Sequence, residues 1–197
     1  MLNKDLILLC SRKPILSLLL ALLTLFCTTL SFAGDKQNIT VNAAMLTLQD
    51  STYLLNAHID YTLSNEAIDA LENGVTLTFN VDVSIVEPRK WLWGKHINSI
   101  KLSYQIKHHT LAKTYQINDI TNNVQHNFSS LSPALHAIGV LKDVPLHAIS
   151  TLEGLDANVS IKAYLNIEAL PLPMRPMAYI TPGWHLKSNT YKWPLNR

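Results

Sequence analysis

Cysteine is nearly missing from this 197-residue chain: Cys10 and Cys27 are the two, and both lie within the first 33 residues. Residues 34–197 can therefore form no disulfide, no thiolate metal centre and no cysteine nucleophile. A domain without such staples must hold itself by burial, and a chain of this length can bury one sizeable core. Glycine is scarce too. The six glycines stand singly, which excludes the glycine-rich loops that cradle phosphate. Charge of one sign is also lacking. The formal +2 of the whole chain comes from Lys4, Arg12 and Lys13 against Asp5, and beyond Ala33 acidic and basic residues balance. A neutral domain makes no electrostatic case for nucleic acid or anionic lipid, and neither is expected as a partner. Long apolar runs reduce to Ile15–Cys27, 13 residues, which is short for a bilayer span.

That run fits the middle of an export signal. Lys4, Arg12 and Lys13 supply a basic start, and Ser31-Phe32-Ala33 places small residues where a signal peptidase reads them. Cleavage after Ala33 would leave Gly34 as the new terminus. The expected organisation is a leader over residues 1–33, engaging the membrane only during export, and a single β-rich domain over residues 34–197. A retained anchor is the competing reading, weakened by Thr24, Thr28, Thr29 and Ser31, which dilute the apolar run. Neither cysteine follows the small-residue box of a lipoprotein.

Period-two alternation dominates the rest, the mark of half-buried strands. From Val75 to Ile85 every odd residue is apolar (Val75, Leu77, Phe79, Val81, Val83, Ile85) and every even one polar. Residues 53–63, 100–106 and 159–167 alternate in the same way, with shorter candidates at 39–48, 114–118, 123–128 and 185–193. Two short helices are expected. One runs over Asn65–Asn73, capped by Ser64 and stopped by Gly74, and one starts at Ser132-Pro133 with Leu135, Ile138 and Leu141 at helical spacing. Strands joined by short turns with few helices predict a mainly β fold, an antiparallel β-sandwich-like domain. An open barrel, or one sheet backed by two helices, is the alternative.

Two stretches break the alternation. Pro88-Arg89-Lys90-Trp91-Leu92-Trp93 joins two strong strands, and in extended chain Trp91 and Trp93 share a face. Leu170-Pro171-Leu172-Pro173-Met174-Arg175-Pro176, followed by Trp184 and Trp193, is too proline-dense for a helix interior or a central strand, so an extended or polyproline-like path is expected. The tryptophans have two readings. They pack, as large indoles usually do, or they form a binding surface that includes Arg89, Trp91, Trp93, Arg175, Trp184 and Trp193.

On Pro88-Arg89-x-Trp91-x-Trp93, Leu170-Pro171-x-Pro173 with Arg175, and Trp184-x-Leu186-x-Ser188 followed by Trp193-Pro194, the chain resembles a proteobacterial family of exported proteins. That family is known as a domain of unknown function and sometimes labelled proline-rich signal peptide proteins. The resemblance runs from about Ile39 to Leu195. It implies a Gram-negative periplasmic location and, since such genes often neighbour a membrane sensor kinase, a partner such as an envelope membrane sensor. It implies no activity, cofactor or catalytic residue.

No catalytic motif stands out. The eight histidines are scattered and His108 and His109, being adjacent, would face opposite ways on a strand. No His-Glu-x-x-His or Gly-x-Ser-x-Gly occurs, and Met174-x-x-Met177 lacks a third ligand for Cu(I). Asp60, Asp82 and Glu168 read as outward positions on strands. No metal or other cofactor is expected. The leading expectation is a non-catalytic binding or protein-interaction module, accessory to envelope signalling. A hydrolase with a composite site and a carrier with a cavity between its sheets are the alternatives.

Overall fold

The computed structural model describes residues 39–50, 52–87, 95–146 and 157–195. The expected leader, and the stretch carrying Arg89, Trp91 and Trp93, lie outside the described residues. The elements in chain order are β1 (Ile39–Gln49), β2 (Thr52–Tyr61), α1 (Asn65–Glu72), β3 (Leu77–Glu87), β4 (Lys95–His109), β5 (Thr114–Asp119), β6 (Val124–Phe128), α2 (Leu131–Gly139), β7 (Val140–Pro145), β8 (Asn158–Leu165), α3 (Arg175–Ile180) and β9 (Tyr191–Pro194). Short 3₁₀ turns at Ile167–Ala169, Leu172–Met174 and Pro182–Trp184 fill the interval between β8 and β9.

The strands form two antiparallel sheets, one in the order β1-β2-β7 and the other β6-β5-β4-β3-β8-β9. The fold is a mainly β, sandwich-like domain, and the alternation read from sequence sets its faces. On β3 the odd residues from Leu77 to Ile85 are all buried. Register then stacks like with like: Val81 pairs with Leu102 on β4 and Ala163 on β8, and Phe79 with Tyr104 and Leu165. From the smaller sheet Tyr53, Leu55, Ala57, Ile59 and Tyr61 enter the same core cluster. Each fully buried Leu, Ile or Phe contributes about 1.5–3 kcal/mol, which is how the domain does without disulfides. Tyr61 meets the Phe79 ring edge-on at 5.1 Å. Burial, with Tyr104 adding to it, pushes the Tyr61 phenol far above its usual range, and burial does the same to Tyr104, reinforced by Asp119. Both phenols therefore stay neutral and act as core.

The helices follow local chemistry. Ser64 Oγ accepts from Ala67 N at 3.2 Å and opens α1, while Gly74, at φ 82°, closes it in a conformation that other residues rarely adopt. Val75 then donates its amide to Ala70 O, so β3 begins at Leu77 rather than at Val75. The second helix begins at Leu131, ahead of the expected Ser132-Pro133, and Pro133 still falls in its first turn. Leu141, which shares helical spacing with Leu135 and Ile138, lies instead on β7, a strand that the sequence pattern does not announce.

Gly139 explains the break. A Cβ there would sit 2.0 Å from Ile59 O, so the last turn of α2 lies directly on the β2 backbone and the chain must leave as strand. A third helix, α3, forms inside the proline-rich stretch, because Pro176 sits in its first turn, where no amide hydrogen is needed. Among the described residues no helix is long and apolar enough to cross a membrane.

The Gly139 contact gives a direct test. Gly139→Ala should lower stability by about 1–3 kcal/mol through overpacking, read as an earlier urea midpoint with an unchanged slope. A midpoint equal to that of the parent would mean that α2 does not rest on β2.

Candidate functional site

Past Leu165 the chain turns away from the sheet, because the Asn166 side chain accepts from Glu168 N at 3.1 Å and caps a 3₁₀ turn. Ile167 and Glu168, expected on the strand, are on that turn. Leu170 is buried, and its carbonyl accepts from Arg175 Nε at 2.9 Å. Farther on, the chain is fastened again. Ser64 Oγ, already the cap of α1, donates to Gly183 O at 2.6 Å. Trp184, Leu186 and Ser188 are all buried, so the alternate spacing of that motif is a row of inward side chains.

Backbone bonds complete the fastening. Leu165 N donates to Leu186 O at 2.9 Å, Ser188 N to Ala163 O at 2.8 Å, and Ala163 N to Ser188 Oγ at 2.9 Å. A hydroxyl stands where a ladder would use a carbonyl, which is why the strand expected at 185–193 shrinks to β9 and a single bridge, Tyr164 to Lys187. Trp193 lies on β9 opposite Val159, half-buried, with its ring 5.8 Å from that of Tyr191.

Between these fastenings the segment displays apolar surface. Leu172 is 71% exposed, Met177 61%, Tyr179 52% and Ile180 74%, all within nine consecutive residues, while Ala178 alone of α3 is buried. His185 Nε2 donates to Tyr179 O at 3.1 Å and braces the end of the helix. Of the six residues named from sequence, Arg175, Trp184 and Trp193 thus belong to one segment, as fastenings more than as its displayed face. Arg89, Trp91 and Trp93 lie outside the described residues. Leu172, Met177, Tyr179 and Ile180 were missed because a lone apolar residue among prolines reads as spacer. The signal that finds them is that these residues lie between two buried anchors.

Other side chains gather in two recesses. A groove of about 600 Å³ opens between β2, α1 and α2, with Asp60, Tyr61, Ile68, Ser132, Leu135 and His136 among its walls. At its edge His58 Nε2 lies 3.3 Å from Asp60 Oδ1, Asn42 Nδ2 donates to Asp60 Oδ2 at 2.6 Å, and the His58 and His136 rings stand edge-on at 6.0 Å. His108 stacks on Tyr115 at 4.6 Å, and His109 bonds to Gln116. Among the described residues no three histidines, carboxylates or cysteines converge as a metal site. A smaller recess of about 340 Å³ lies under Tyr179.

The family described as a domain of unknown function (DUF4390) matches residues 36–194, which takes in every strand and helix from β1 to β9. No curated protein and no solved structure matches the chain.

If the fastening is structural, Trp184→Ala should cost about 3–5 kcal/mol, whereas Ile180→Ser, at an exposed position, should change stability by less than about 0.5 kcal/mol. Paired thermal melts check both, and equal effects would contradict the division into anchors and display.

Proposed function

The chain belongs to the DUF4390 family, and on that premise we propose that it is an exported, non-catalytic interaction module of the Gram-negative periplasm. Its partner in this reading is an envelope membrane protein such as a membrane sensor, so that the domain serves envelope signalling as an accessory. Residues 1–33 act as the leader, removed after Ala33.

One observation carries the reading: Leu172, Met177, Tyr179 and Ile180 stand out from a segment whose two ends are locked into the core. Large apolar side chains held in water on a rigid support gain nothing for folding and mark a contact surface. Rigidity matters because a preformed surface loses little conformational entropy on binding. The uncharged balance of residues 34–197 agrees with recognition by apolar contact in preference to electrostatic steering.

In-cell photo-crosslinking from positions 177 and 180 should capture one abundant envelope protein, and a probe at Lys162, on the outer sheet face, should not. The double variant Leu172→Ser/Ile180→Ser should abolish capture with an unchanged melting temperature. Capture that survives the double variant would remove this surface from the account, and turnover of a cell-wall or peptide substrate by the purified protein would remove the non-catalytic reading.

A further inference from the structure

The outer face of the six-stranded sheet is polar, as its alternation requires, yet it is not uniformly wet. Thr78 and Asn80 of β3 point to that face and are 5% and 3% exposed. Their burial comes from the cover: Asn166 N donates to Thr78 O at 2.8 Å, and the turn at Ile167–Ala169 and Tyr179 of α3 stand over this end of the sheet. What results is a recess of about 340 Å³, with Asn80, Lys101, Tyr164, Asn166, Glu168 and Tyr179 in its walls. That volume is within the range of about 300–1,000 Å³ typical of small-molecule sites.

We propose that this recess binds a neutral saccharide unit. Asn80 is the fixed polar group at its floor. Its Oδ1 accepts from Ser103 Oγ at 2.9 Å, and the described residues give its Nδ2 no hydrogen bond. One row along the same face, Asp82 Oδ1 is buried without a hydrogen-bond partner, and Lys101 and Lys162 are its cross-strand neighbours on either side. Within the recess itself Asn80 Nδ2 offers a donor and the Glu168 carboxylate an acceptor, and hydroxyl groups of a ligand both accept and donate.

Charge selects against ions. In the walls of the recess Lys101 balances Glu168, so neither an anion nor a cation gains net attraction. The two tyrosines complete the match. Tyr179 is half-exposed and Tyr164 half-buried, and their flat apolar faces suit the C–H face of a pyranose ring, while hydroxyls at the ring edge meet the amide and charged groups. Sheet, turn and helix together build the recess, so the face is set before the ligand arrives. The inference shares Tyr179 with the protein-contact reading, but Asn80, Lys101 and Glu168, on which its test rests, lie off the displayed apolar residues.

The test is a titration of the isotope-labelled exported protein, followed by the amide signals of Asn80, Lys101, Tyr164 and Glu168. The probes are glucose, N-acetylglucosamine, maltose and N,N′-diacetylchitobiose, each to about 10 mM, with glucuronic acid as the charged comparison. At least one neutral sugar should give saturable shifts at these residues. Glu168→Gln and Lys101→Met should each weaken that binding about tenfold or more, with unfolding midpoints unchanged. No saturable shift with any of the four sugars, undiminished binding in both variants, or tighter binding of glucuronic acid would overturn the proposal.

Discussion

The rest of the architecture depends on how the free edge of β8 is satisfied. An open strand edge presents unpaired amides and carbonyls, and those must find partners or invite another chain. Here the returning segment supplies them through Leu186 O, Ser188 N and the Ser188 hydroxyl, and then through β9. Because these bonds come after a thirteen-residue excursion from Leu170 to Pro182, the excursion is fixed at both ends. Its prolines need not pair with anything, and its own turns hold it off the sheet. One edge-sealing device therefore produces both the displayed apolar surface and the roofed polar recess beneath Tyr179.

The same economy shows in Ser64. Its single hydroxyl accepts from the first turn of α1 and donates to Gly183, tying the helix between β2 and β3 to the far fastening of the excursion. Residues 34–197, balanced in charge and without cysteine, thus hold an irregular, proline-rich segment by a few bonds placed where burial protects them. The contact surface and the sugar recess we propose need no flexibility for their formation. They occupy different chemistry on one scaffold, apolar on the outside of the excursion and polar beneath it.

How much of this was legible in the sequence varies with the range of the interactions that decide it. The strands β2, β3, β4 and β8 were legible because local alternation is enforced by a core on one side only, as in Val75–Ile85. The cap at Ser64 and the stop at Gly74 were legible because capping is local. β7 was not, since Leu141 keeps step with Ile138 and only the contact of Gly139 with the β2 backbone ends the helix. Nor was α3, because the density of prolines hides the one place, the first turn, where proline is welcome. Asn80 reads as an ordinary outward residue, and its burial comes from a cover far away in sequence. The candidate site was therefore legible as a region, through Arg175, Trp184 and Trp193, while the residues it displays were not.

Hydrogen–deuterium exchange of individual amides in the purified protein tests the central claim most directly, because it reports whether the returning segment is part of the fold. The account predicts that Ala163, Leu165 and Ser188 exchange as slowly as core amides of β3 such as Val81, and all of them through global unfolding. Exchange of Ser188 and Leu165 at rates near those of free peptide, with β3 still protected, would contradict it, leaving the proline-rich end as a loose tail without a displayed surface or a roofed recess.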